Sequence, residues 1–181
     1  ISKDKHTSCP VRIANEQSTS PRLVHFLGLP GISRNIFSQS TYTKLLKSLR
    51  IVFADHRLEY FSHPAETSRD LDLVREFLCP AKIEVNQLPY DVAYNSMSEI
   101  PMAITGFHTS TFIPLTKISG IRSRLIMLKV PLANFACQHR IKRVSTIYND
   151  FSLNPQIECI HLDESPSKFT IKGNSPLIPI L

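Results

Sequence analysis

The stretch Met102-Ala103-Ile104-Thr105-Gly106-Phe107-His108-Thr109-Ser110-Thr111 carries two signals in succession. Its first half is a short apolar run closed by glycine, the pattern of a buried strand. Its second half is a run of hydroxyls at the start of a helix, which Pro114 limits to positions after the first turn. A buried strand that turns on glycine into a helix is the repeating unit of a parallel sheet.

The alternation continues on both sides. Leu23 to Pro30 is an apolar strand closed by Gly28 and Pro30, and Ser40 to Leu49 has Tyr42, Leu45, Leu46 and Leu49 at helical spacing behind a Ser/Thr-rich start. Ile51-Val52-Phe53-Ala54 and Arg57 to Ser62 read as strand material broken by Asp55-His56, leading into His63-Pro64. Thr67 to Leu78 places Leu71, Val74, Phe77 and Leu78 on one face, with Ser68 as the expected N-cap and Cys79-Pro80 as the stop. Lys82 to Val85 predicts a strand, Asp91 to Met97 a helix of two turns, and Arg124 to Val130 a further strand. The sequence thus predicts an α/β fold, a Rossmann-like parallel sheet with flanking helices, over residues 21–144. Residues 1–20, polar and containing Pro10, read as a linker or extended segment. Residues 145–181, with Pro155, Pro166, Pro176 and Pro179 and no sustained period, read as an irregular C-terminal tail.

A chain of 181 residues has room for one domain with a substantial core. Its formal net charge of +6 favours an anionic partner. The basic residues are scattered, the tightest cluster being His139-Arg140-Ile141-Lys142-Arg143, with no interleaved aromatics, which argues against nucleic acid. Cys9, Cys79, Cys137 and Cys159 form no C-x-x-C pair, so neither a zinc site nor a redox motif is expected. No run approaches the length of a membrane span, and the polar start is not a signal peptide. The first residue, Ile1, is not Met, which suggests an upstream portion.

In an open parallel sheet, ligands bind beyond the carboxyl ends of the strands. Three candidates fall there. His63 follows a strand and precedes Pro64; as an imidazolium it would neutralise a departing phosphate and could protonate it, while the plainer reading is a hydrogen-bonded loop histidine. Gly106 with Thr109 and Ser110 offers a tight turn and hydroxyl donors beside unpaired backbone N–H groups, or simply a helix cap. Asp91 after Pro89 could hold both ribose hydroxyls, or could be an acid stabilised by a helix dipole.

The order S-H-P at 62–64, P-x-D at 89–91 and G-F-x-T-S at 106–110 resembles bacterial sialyltransferases of the lipooligosaccharide sialyltransferase and capsule polysialyltransferase type. The resemblance is carried by residues 62–110 and extends more faintly over 20–135. It implies the C-terminal, donor-binding domain of a GT-B glycosyltransferase, with CMP-sialic acid as donor substrate, no cofactor and no metal. By the same resemblance His63 meets the donor phosphate and assists departure of CMP, Asp91 holds the ribose, and Thr109 and Ser110 bind the phosphate. Asp stands at 91 where the family has Glu, and Thr at 109 where it has Ser; threonine keeps the donor and acceptor, whereas the shorter carboxylate must come closer to the ribose. A cytoplasmic protein with peripheral contact at the inner membrane would follow.

The same family takes its catalytic base from an acid-acid-Gly motif in an N-terminal domain, which would also bind the glycan acceptor. None of Gly28, Gly31, Gly106, Gly120 and Gly173 follows an acidic pair. Without a positioned base about 10²–10⁴-fold of rate is lost, so the expectation is a fragment, truncated frame or degenerate copy that holds the donor better than it transfers it. The competing expectation is a non-catalytic interaction module for an anionic partner.

Overall fold

The computed structural model describes residues 18–85 and 88–162. Six strands, β1 (Ser18–Leu27), β2 (Arg57–Phe61), β3 (Lys82–Glu84), β4 (Glu99–Gly106), β5 (Arg124–Lys129) and β6 (Ile157–His161), form one sheet in the order β3-β2-β1-β4-β5-β6. Every pairing is parallel. The helices are α1 (Gln39–Val52), α2 (Ser68–Leu73, continued by a π turn Val74–Leu78), α3 (Tyr90–Asn95), α4 (Phe112–Leu115) and α5 (Gln138–Ser152), with a 3-10 turn at Leu132–Asn134. This is the α/β, Rossmann-like architecture that the alternation predicts. From the central strand β1 the chain runs outward to β3 and returns through α3 to lay β4 on the other side of β1. The order of the strands therefore reverses between β1 and β4.

The strands are apolar because both sheet faces are covered. Along β1 and β2, Phe26 stacks on Tyr60, while the alternate residues His25 and Phe61 meet Tyr90 of α3. α1 buries Tyr42, Leu45, Leu46 and Leu49 and is capped by Ser38, whose Oγ accepts from Thr41 N at 3.2 Å. α5 buries Val144, Tyr148 and Phe151, one stripe at helical spacing. Tyr148 Oη accepts from Val130 N at 2.9 Å and donates to Val130 O at 3.2 Å, which fixes α5 to the end of β5.

Several boundaries differ from the sequence reading. Ile51 and Val52 complete α1, and Phe53 and Ala54 turn out of it, so the expected strand there does not form. Phe53, four residues after Leu49, joins the same buried face, and helix continuation overrides the β-branched residues. The N-cap of α2 is Thr67 rather than Ser68: Asp70 Oδ2 accepts from both Thr67 N and Thr67 Oγ1, at 3.0 and 2.9 Å. Residues 18–20, the end of the stretch read as a linker or extended segment, are extended as the start of β1. Residues 145–162, read as irregular, contain the end of α5 and the whole of β6, an edge strand paired with β5 from Leu125↔Ile157 to Lys129↔His161. The remainder of the expected linker and tail, 1–17 and 163–181, lies outside the described residues. Among the described residues no helix is long and apolar enough to cross a membrane.

Candidate functional site

The site is built from loops at the carboxyl edge of the sheet. Gly28, immediately after β1, donates its N–H to Phe61 O at 2.8 Å and extends the ladder by one residue. A Cβ at Gly28 would lie 2.4 Å from Glu66 Oε2 and 2.5 Å from Tyr60 Oη, so only glycine fits there. Those two atoms belong to a network: Tyr60 Oη donates to Glu66 Oε1 at 2.6 Å, and His63 N donates to Glu66 Oε2 at 2.5 Å. Burial raises Glu66 to about 7, the bonds from Tyr60 and His63 pull the other way, and the charge of Asp70 adds to the rise. Asp70 is itself fully buried and also accepts from Ile32 N at 2.8 Å and Ser33 N at 3.2 Å, tying the loop after β1 to α2. Burial alone would raise its carboxyl; the donors around it outweigh that and hold it below its ordinary value.

On the other side of β1, Gly106 ends β4 in register with Leu27. A Cβ there would stand 3.1 Å from Leu27 O, so the glycine serves the close approach of the two strand ends. Ala136 N donates to Ile36 O at 2.9 Å, and Phe37 packs against Phe107 and Phe135, which joins the loops after β1, β4 and β5 into one rim.

Between these loops is a cavity of about 250 Å³ lined by Gly28, His63, Thr109, Ser110, Arg140 and Arg143 among others. It sits where the strand order reverses, at the ends of β1 and β4, the position at which open α/β sheets bind ligands. Residues 63 and 109, remote in sequence, are thus brought to one place. Among the described residues no carboxylate lines the cavity. Thr109 Oγ1 accepts from Thr111 N at 3.2 Å, closing a local turn, and Ser110 Oγ has no partner among the described residues. α4 is a single turn, so side-chain hydroxyls, rather than the N–H groups of a long helix, are what this loop contributes.

The two histidines of the cavity, His63 and His108, are both shifted toward the neutral form. Burial, assisted by Arg34, lowers His63 from its ordinary value. His63 Nδ1 accepts from Ala65 N at 3.0 Å, which leaves the proton of the neutral ring on Nε2. Protonating Nδ1 would oppose two donors, so this geometry favours a neutral ring with its hydrogen on Nε2. His108 is lowered to about 4 by burial first and then by Arg140 and Arg143.

Asp91 is in the first turn of α3, on the crossover from β3, and does not line this cavity. Gly106 supports the cavity without lining it. Arg140, Arg143 and His108, which do line it, were not singled out as site residues by their sequence. The available signal was the basic cluster at 139–143, whose i, i+3 arginines share a helix face. A wider groove of about 430 Å³ lies over His25, Glu59, Lys82 and Glu84. Its carboxylates are engaged in ion pairs, Arg57 with Glu59 and Glu99 and Lys82 with Glu84, and three acids against two bases leave it without the surplus positive charge of the smaller cavity.

No protein-family model matches the chain, and no curated protein matches it. The chemistry of the cavity therefore rests on its own geometry: positive charge with no carboxylate among the described residues, the hydroxyls of Thr109, Ser110 and Thr111, and an imidazole N–H, at the ligand-binding edge of a parallel sheet.

Proposed function

We propose that the cavity binds the phosphate of a nucleotide sugar, CMP-sialic acid, and that the chain is the donor-binding domain of a sialyltransferase that modifies a cell-surface glycan. The observation that carries this reading is the convergence of His63, Thr109 and Ser110 with two arginines in one acid-free cavity at the β1–β4 reversal. Ser110 donates its hydroxyl hydrogen to a phosphate oxygen, Thr109 does so by turning its hydrogen away from Thr111 Oγ1, and His63 donates from Nε2. As the bond between sugar and phosphate breaks, negative charge grows on the phosphate, and hydrogen bonds to it strengthen in step. His63 in this role is a fixed neutral donor that stabilises the leaving CMP. Because no carboxylate among the described residues lines the cavity, this reading takes the group that deprotonates the acceptor hydroxyl from elsewhere. Asp91, outside the cavity, has no part in this reading.

Titration calorimetry with CMP tests it. Binding at millimolar or tighter affinity that His63→Ala weakens about tenfold or more, the worth of one hydrogen bond to a charged group, is the expected result. No heat from CMP or CMP-sialic acid would overturn it and would favour a non-catalytic interaction module.

A further inference from the structure

The wider groove, of about 430 Å³, lies between α3 and the edge strand β3 and shares no lining residue with the cavity at the β1–β4 reversal. Among its lining residues is His25, 2% exposed, whose Nε2 is buried without a hydrogen-bond partner. Burial first, and then Arg57, lowers this ring to about 4, so it is neutral and carries one hydrogen. Tyr90 Oη stands 2.7 Å from Nδ1, and Glu59 Oε2 stands 3.7 Å from Nε2. A lone pair on Nε2 would face that carboxylate, so the hydrogen belongs on Nε2 and Tyr90 donates to Nδ1. At 3.7 Å the two do not bond. Glu59 meets Arg57 through its other oxygen, Oε1, at 3.3 Å, which leaves Oε2 for a ligand. A donor and an acceptor thus face each other across a gap that neither closes, and unmet buried donors are rare in folded proteins.

Lys82 and Glu84 repeat the arrangement on β3, an ammonium paired with a carboxylate at the wall of the groove, and Glu99 at the start of β4 is paired with Arg57. Each pair sets a donor beside an acceptor. A hydroxyl meets both with one atom, because it accepts one hydrogen bond and donates another; an ammonium only donates and a phosphate diester only accepts. Several such pairs around one groove call for several hydroxyls on a compact frame. Phe61 and Met97 give apolar surface for its carbon skeleton, and the volume falls within the range of about 300–1,000 Å³ for small-molecule sites. Among the described residues no group of three or more His, Cys, Asp or Glu is placed to hold a metal ion, so these carboxylates are spread around the groove instead of converging. We infer that the groove binds a neutral sugar, a pyranose whose hydroxyls are held by His25 with Glu59 and by Lys82 with Glu84. The inference does not depend on the phosphate reading. In a chain that acts on a glycan, as proposed above, the groove gives that glycan a hold apart from the donor cavity.

Amide nitrogen–proton correlation spectra of the whole chain test it, titrated with galactose, glucose and N-acetylglucosamine, and separately with putrescine and with CMP. At least one sugar is expected to give saturable shifts at His25, Glu59 and residues 96–99, with a millimolar Kd. Glu59→Ala should weaken that sugar about tenfold or more, the worth of a hydrogen bond to a charged group. Lys82→Met, at an exposed position where the fold is not at stake, should weaken it as well. Both variants should keep the circular dichroism spectrum and the response to CMP of the wild type. No saturable shift with any of the three sugars overturns the inference. So does putrescine moving the same amides at lower concentration than any sugar, since the groove would then be a cation site. Sugar shifts that both variants leave unchanged overturn it too. CMP separates the two readings: its failure to bind removes the phosphate reading and leaves the groove standing.

Discussion

Gly28→Ala places one methyl group where the site is most tightly built. The new Cβ would stand 2.4 Å from Glu66 Oε2 and 2.5 Å from Tyr60 Oη, each about 1 Å inside ordinary van der Waals contact. Gly28 does not have a positive φ, so the backbone accepts alanine and the whole effect must come from that collision. Tyr60 is fully buried and cannot swing away, so Glu66 must yield and surrender its bonds to Tyr60 and His63. Overpacking of this kind costs about 1–3 kcal/mol, and a lost hydrogen bond to a charged group about 1.5–3 kcal/mol. We expect a loss of about 3 kcal/mol, and a weaker grip on CMP because the His63 loop moves. Urea unfolding followed by far-ultraviolet circular dichroism measures it, as a lower midpoint at unchanged slope. A stability within about 0.5 kcal/mol of wild type, the usual range for a neutral substitution, would refute the network as described.

Three further outcomes follow from the same structure, beside the His63 test already stated. Asp70→Ala strands the donors Ile32 N, Ser33 N, Thr67 N and Thr67 Oγ1, and should cost about 3 kcal/mol or more; amide exchange at Ile32 and Ser33 should accelerate, and unchanged protection would count against the tie between α2 and the loop after β1. His25, 2% exposed, is lowered to about 4 from 6.5, by burial and by Arg57 and Lys82 against the opposing charge of Glu99, with Tyr90 bonded to its Nδ1 and Glu59 facing its Nε2. The unfolded chain takes up this proton first, so stability is complete above pH 6.5 and is lost as pH falls to about 4, by at most about 3 kcal/mol. Glu66 acts in the opposite sense, its contribution present below 4.5 and lost as pH rises through about 7. The His25 effect is therefore read as the difference between wild type and His25→Gln in urea midpoints from pH 7 to 4, and a difference that does not vary with pH would exclude it. For Glu66, Glu66→Gln should remove the corresponding decline between pH 4.5 and 7, measured in the same way.

The sequence by itself determined the α/β alternation and the two loops that matter most. β1, β2, β4 and β5 are legible because buried parallel strands are short apolar runs, and each is closed by a local signal such as Gly28, His63-Pro64 or Gly106. His63, Thr109 and Ser110 could be named for the same reason, since each lies within a few residues of a strand end. Where two local signals competed, the sequence misled. Ile51 and Val52 have strand-forming side chains, yet they finish α1 because Leu49 and Phe53 share its buried face. α5 was hidden because its buried stripe is only Val144, Tyr148 and Phe151, set between basic residues and a proline-rich tail. Only the tertiary structure decided which candidates share a site. The order β3-β2-β1-β4-β5-β6 opens the cavity between the ends of β1 and β4; Asp91 rides the crossover helix and does not line it, while the first turns of α5, fixed to β5 by Tyr148, bring Arg140 and Arg143 to it. Strand order is set by which apolar faces bury one another across the whole chain, and no local window contains that information.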